Sequence, residues 1–478
     1  MFEKKSLVAD VAVIGGGLAG MVSALCCAMH GRRVVVLEKL TDQRYVCNSR
    51  IASGVFHVAM TTPQTSPQAL QARMASRNPG GRPELVKALS DDALQAIHWL
   101  RDNTDARFIR AGAEALYDYV LAPPSVARTG RQWQGRGADV LLRNLEARLV
   151  SGGGQLMRGI RAERLLMEGS ACAGVEGLMS DALPFEVRSS CVVIADGGFQ
   201  GSDELLARYV CAHPSRLVHR NTRTGAGDGL RMALAAGAGM TMDPGFYGHV
   251  QSRSGLTDDS LWPYPWLDEL VRCSILVTAD GHRFADEGRG GIYLANQIAR
   301  LPDPASSIVI ADAAAWEGPA ADRPTGPNPK LLLAGGTIFK ANNLGELAIM
   351  ASINPQGLLS EVARYNEAVA SETCGMLDPA RTVSDFKPWP ISRSPFYAIP
   401  AAAGITYTLG GISVDAASRV LKTSGDVLPG LYAAGSAAGG LEGGEGAAYF
   451  GGLVKAAVTG LRAAKDICSR KFPDRSPH

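Results

Sequence analysis

The chain has 478 residues, with 48 lysines and arginines against 46 aspartates and glutamates, a formal charge of +2. At roughly 150 residues per domain this length predicts two or three domains, and the near-neutral balance leaves no basic surface for nucleic acid or an anionic membrane, so small molecules are the expected partners. The 55 glycines sit in apolar strings, which excludes a collagen-like or disordered chain and suggests backbone lying close to a ligand.

Residues 9–14 form a short apolar, β-branched run. Gly15, Gly16 and Gly17 follow, then a small-residue helix from about Leu18 to His30, then a second apolar strand from Arg33 to Leu37. Gly15, Gly17 and Gly20 have the G-x-G-x-x-G spacing in the strand–turn–helix context that gives it meaning. Gly15 permits the tight turn, Gly17 lets backbone approach a pyrophosphate, and Gly20 lets helix and sheet pack closely. The helix start at Leu18 and Ala19 offers free N–H groups to the anion. Glu38, with Lys39 beside it, ends the second strand where an acid takes ribose hydroxyls. The motif leaves NAD and FAD both open, and a glycine-rich turn that binds nothing is the bland alternative.

Runs at 191–194 and 430–434 repeat the strand-into-glycine rhythm, so the first and last quarters are expected to share one α/β sheet. Between them composition changes, with Trp262, Trp266, Trp316 and Trp389 and proline-broken stretches. This predicts a second domain at 239–394 inserted between 1–238 and 395–478, with helices expected around 358–370 and 308–316. Nine cysteines, an odd number with no C-x-x-C pair, write neither a disulfide framework nor a zinc site, and no metal is expected. No basic-flanked apolar leader and no bilayer-length apolar stretch is present, so a reducing, cytoplasmic location is expected.

Six further segments run in order along the chain: Asn48-Ser-Arg-Ile-Ala-Ser-Gly54, Ala195-Asp-Gly-Gly-Phe199, Gly227-Asp-Gly229, Gly410-Gly411, Tyr432-Ala-Ala-Gly435 and Phe450-Gly-Gly-Leu453. With the fingerprint they resemble the FAD-binding flavoproteins of the fumarate reductase and succinate dehydrogenase family, nearest its soluble single-chain members such as tricarballylate dehydrogenase and the 3-ketosteroid dehydrogenases. The resemblance implies an α/β, Rossmann-type FAD-binding domain split by an inserted α+β capping domain, with the flavin at their interface. It assigns Asn48, Ser49, Ser53 and Gly54 to the ribityl and phosphate, and Ala162 to adenine. It places Asp228 near the flavin end, and Ala195, Gly197 and Gly435 along the cofactor. Ser436 stands where relatives often have a ribityl-binding glutamate. Gly451, Gly452 and Leu453 would set a helix start against the flavin pyrimidine edge, or simply pack it on the sheet. Segment 48–54 holds no histidine, and His57 lies beyond it, so the FAD is expected to be dissociable.

The same resemblance tests the substrate machinery. Relatives place a catalytic arginine after a Gly-x-Arg-Phe-x-x-Glu turn; here the turn is Gly281-His-Arg-Phe-Ala-Asp-Glu287, and Gly291 stands at the arginine position. Arg289, two residues early, is the substitute, or a solvent-facing side chain. Glu269 and Arg272 keep the spacing of the family's proton relay, or form a surface ion pair. His249 falls where a substrate-binding histidine is expected, or is structural. Thr406 and Tyr407 replace paired histidines. Tyr449 replaces a carboxylate-binding arginine, in a longer loop carrying Glu442 and Glu445. A carboxylate gains little from a phenol facing acids, which disfavours fumarate and succinate. Tyr449 and Tyr407 are instead candidates for polarising a ketone and moving a proton, or they are aromatic packing.

The expected activity is FAD-dependent dehydrogenation or reduction of a carbon–carbon bond beside a carbonyl or carboxyl group, with hydride exchanged at flavin N5 and a protein acid or base. The electron donor or acceptor is a diffusible partner of unassigned kind. The rival expectations are a flavin oxidase or amine-type dehydrogenase, and a non-catalytic FAD-bound subunit of a larger complex.

Overall fold

Two sheets organise the chain in this computed structural model, which describes residues 5–471. β1 (Lys5–Ile14), α1 (Leu18–Met29) and β2 (Val34–Glu38) arise as the apolar runs and glycines dictate, and β1 and β2 are parallel, with Val13 opposite Val36. On its other side β1 pairs in parallel with Pro184–Ile194, and that strand with Val427–Ala433. Gln155–Arg158 extends the sheet beyond β2. Strands from the first and last quarters therefore share one sheet, with Pro184–Ile194 between them, and their paired ends at residues 11–14, 34–37, 191–194 and 431–433 are buried and almost wholly apolar, as a sheet covered on both faces requires. Helix Gly452–Ser469 packs on α1, where a Cβ at Gly460 would lie 2.6 Å from the Ala19 carbonyl oxygen.

The second sheet is antiparallel around the 13-residue strand Phe396–Thr408, whose neighbours include Phe246–Ser252 and Ile308–Ala311. Val218–His219 also pairs with it, in parallel. The long strand and Val218–His219 both lie outside the expected 239–394 span, because this sheet recruits chain from either side of that segment. Helix Pro355–Ala370 forms as its periodicity predicts, with Asn354 capping the Gln356 and Gly357 N–H groups. Of the 308–316 stretch, Ala313–Glu317 is helical as expected, but Ile308–Ala311 is a strand: its four buried apolar residues pair on both edges, and tertiary pairing overrides the longer periodic pattern. Among the described residues no helix is long and apolar enough to cross a membrane.

Candidate active site

β1 delivers the chain to Gly15, which takes φ 99°; a Cβ there would lie 2.6 Å from the Ala195 carbonyl oxygen, so a side chain would part the two strands. The resulting cavity holds about 1180 Å³, part of it open to solvent, over a floor that includes Gly15, Gly17, Leu18 and Ala19. Ser49 Oγ accepts the Leu18 N–H at 3.1 Å at the start of α1. Asn48 Oδ1 accepts the Thr222 N–H, and its amide donates to the Thr406 carbonyl, tying this wall to the second sheet. The Glu38 carboxylate, raised in pKa by burial, accepts the Gly16 and Leu40 N–H groups and faces the same space.

Lys39 and Arg161 both pair with Asp228, at 3.1 and 3.3 Å, beside Ala162. Asp228 thus closes the end marked by Glu38, not the expected flavin end, because the helix it begins abuts the strand carrying Arg161 and Ala162. Ala195, Gly197, Gly435, Ser436, Gly452 and Leu453 line the cavity as well. Gly20, Gly54 and Gly451 lie outside its lining and act in backbone packing. Asp196 Oδ1 and Gln200 Oε1 are buried, unpaired acceptors of wall residues, and burial pushes the Asp196 carboxyl up to about 6. A glycine floor at a helix start, an acid beside it and unused acceptors on the walls suit the phosphates, ribose and ring N–H groups of FAD.

A second cavity of about 1000 Å³ adjoins the first and shares Asn48, Ala52, Tyr247, Thr406, Tyr449 and Leu453 with it. Its other lining includes the aromatic rings of Trp133, Trp262, Tyr264 and Trp266, with two arginines, Arg220 and Arg131, the latter over the Trp262 ring. Ser53 borders this cavity and not the first.

Tyr247 stands where the two meet. Its hydroxyl lies 3.1 Å from His249 Nε2, and His249 Nδ1 lies 2.6 Å from Asp268 Oδ2. An aspartate on Nδ1 holds the proton there, so Nε2 of the neutral ring accepts from the tyrosine. Trp266 stacks on His249 at 3.9 Å and Tyr449 on Tyr247 at 3.7 Å, fixing both rings. Burial lowers the His249 pKa, with Asp268 opposing; burial raises that of Tyr247. A Cβ at Gly291 would lie 1.9 Å from Asp268 Cγ, so the missing side chain leaves room for the Asp268 carboxylate. His249 is thus reached through Tyr247 and lines neither cavity itself.

Tyr407 lines the first cavity and Tyr449 both, but their hydroxyl oxygens are engaged. Tyr407 donates to both oxygens of Glu442 at 3.0 Å, and Lys455 pairs with Glu442 at 3.0 Å in a buried trio. The Tyr449 oxygen accepts the Gly452 N–H at 3.1 Å. Burial raises the pKa of both phenols. Arg289, Glu269 and Arg272 line neither cavity. Arg289 pairs with the exposed Glu445 and covers the Tyr293 ring. Glu269 accepts from Thr325, and Arg272 lies over Phe386. Sequence reasoning missed Tyr247, Asp268, Arg220 and Trp266. Strand alternation offered one signal, since Tyr247 and His249 are two residues apart on Phe246–Ser252 and share a face.

The family model described as an FAD binding domain matches residues 10–448, and the chain belongs to that family, with FAD as its cofactor. The chain is 26% identical to the NADH:fumarate oxidoreductase of Klebsiella pneumoniae (strain 342) over 95% of its own length, but spans 48% of that protein. It is 25% identical to the vinyl phenol reductase of Lactiplantibacillus plantarum, covering 91% of this chain and 90% of that one. The solved 3-ketosteroid delta1-dehydrogenase of Sterolibacterium denitrificans superposes with a TM-score of 0.76 at 18% identity, over 97% of this chain and all of that one.

Proposed function

We propose that the protein dehydrogenates or reduces a carbon–carbon bond beside a carbonyl or carboxyl group, with the substrate in the aromatic cavity and Tyr247 as its proton acceptor or donor. One observation carries this: Tyr247 lines both cavities and its hydroxyl is backed by His249 and Asp268. FAD, when bound, supplies the two-electron hydride chemistry.

A buried phenol is a poor base by itself, since its charged form is disfavoured. Passing its own proton to His249 as it takes one from the substrate removes that penalty, and Asp268 stabilises the imidazolium formed. Reduction runs the same relay in reverse. The second sheet and the helices on it would act as the α+β cap of a split Rossmann-type domain, excluding water from the junction. The relatives support the bond type, since an NADH:fumarate oxidoreductase and a vinyl phenol reductase are named for the reduction of unsaturated compounds.

The FAD is proposed to be dissociable. No histidine lines its cavity among the described residues, and burial pushes the lining Cys47 thiol up to about 12, away from the reactive thiolate. A reducing, cytoplasmic location fits the nine free thiols. Anaerobic stopped-flow of Tyr247→Phe tests the reaction: FAD should stay bound while flavin reduction or reoxidation by substrate slows severely, and an unchanged rate would remove Tyr247 from the chemistry.

A further inference from the structure

We infer that Arg220 forms an anion subsite in the aromatic cavity and that the substrate is a ring-bearing monocarboxylate, an inference that rests on the cavity being the substrate site. Four arginines of the described chain are buried: Arg50, Arg220, Arg283 and Arg381. Arg50 pairs with Asp139 and Glu146, Arg283 with Glu287, and Arg381 approaches the same Glu287 at 3.9 Å. Arg220 alone among them has no carboxylate. Its Nη1 donates to Thr406 Oγ1 and its Nη2 to the Pro263 carbonyl, each at 3.1 Å, and Nε has no partner. Both acceptors are neutral. Asp268, the acid whose field reaches it, is committed to His249 Nδ1 and the Val250 N–H.

A guanidinium at 7% exposure without counter-charge is costly, and the chain offsets that cost at its other buried arginines with carboxylates of its own. At Arg220 the counter-charge is left to the cavity's occupant. Three of the five donors remain after the Thr406 and Pro263 bonds, enough for one carboxylate. Trp266 lies under the guanidinium at 5.4 Å, and its own indole N–H is unpaired. Trp262, Tyr264 and Tyr449 add flat apolar walls, which a ring fills and a four-carbon diacid does not. Thr406, held by Arg220, borders both cavities, so an acid anchored there extends its carbon skeleton toward Tyr247. The positive charge comes from a different element than the arginine that Tyr449 replaces, which reconciles the missing clamp with an anionic substrate.

The test titrates the FAD-loaded enzyme anaerobically, following the visible flavin spectrum, with trans-cinnamate and cyclohex-1-enecarboxylate, each beside its primary amide. Both acids should perturb the spectrum at about 100-fold lower concentration than their amides, and fumarate should bind more weakly than either acid. Arg220→Met should erase the acid preference and leave the amides unchanged, while Arg220→Lys, which keeps the charge without the fork, should retain part of it. Equal affinity for acids and amides in the wild type, or equal weakening of both in Arg220→Met, would overturn the subsite, the latter showing a packing role. Fumarate binding as tightly as the ring acids would overturn the ring preference. Turnover is read separately by reoxidation of the dithionite-reduced enzyme. Acids that bind through Arg220 yet never reoxidise the flavin would sink the proposed reaction and leave the subsite standing, whereas turnover without acid preference does the reverse.

Discussion

The two adjoining cavities are built in opposite ways. The first is made of backbone: glycines at strand ends, a helix start and an acid at the end of β2, drawn largely from short motifs. The second is made of large side chains from Trp133, Arg220, Tyr247, Trp262, Trp266 and Tyr449, which sequence scatters and the second sheet gathers. A cofactor common to many enzymes is held by features that any side chain would obstruct, while a particular substrate is met by side chains that can be exchanged freely. The difference fits the proposed reading, in which specificity and the acid–base chemistry belong to the aromatic cavity.

The sharpest way to break this division is Tyr247→Phe, which should cost about 10²- to 10⁴-fold in the rate of flavin reduction or reoxidation with FAD retained. Retained turnover would favour the oxidase or amine-type reading, which needs no base at the neighbouring carbon. Glu442→Gln comes next, and should destabilise the fold by about 3–5 kcal/mol, because Lys455 is left as an unpaired buried cation. Thermal unfolding reads it, and adding Lys455→Met should restore much of the loss.

Asp268→Asn sharpens the relay through pH. Proton abstraction needs neutral His249, so the rate falls as pH drops through the His249 pKa, which burial sets below the ordinary histidine value. The negative charge of Asp268 is what raises that pKa, so its removal should move the acidic limb to still lower pH and lower the plateau; an unmoved limb would place another group in control. Glu38→Ala should weaken FAD about 10- to 100-fold, read by dialysis against apo-protein, with the rate of the fully loaded enzyme unchanged. Smallest of all, Arg289→Ala should leave both rate and FAD binding near wild type, since among the described residues it pairs with an exposed glutamate. A large loss would restore Arg289 as the acid that the turn after Gly281 suggested.

Much of the first cavity was legible because its requirements are local. Gly15, Gly17 and Glu38 act through turn geometry and strand ends, which one stretch of chain specifies. Asp228 was misplaced along the cavity because its position depends on Lys39 and Arg161, both distant in sequence. The tyrosines were correctly drawn to the cavity wall, but Tyr407 and Tyr449 are tied to Glu442 and the Gly452 N–H, while the tyrosine backed by a histidine and an aspartate is Tyr247.

Spacing and residue type by themselves determined the parallel strands, the dinucleotide turn and the family, because strand period, glycine freedom and helix starts are properties of contiguous residues. Only tertiary structure decided which of the two tyrosines shared by the cavities is backed by His249 and Asp268, that Gly291 makes room for Asp268, and that Arg220 among the buried arginines lacks a counter-charge. Burial and pairing are relations between distant residues, and they exist once the second sheet has brought 220, 247, 268 and 406 together.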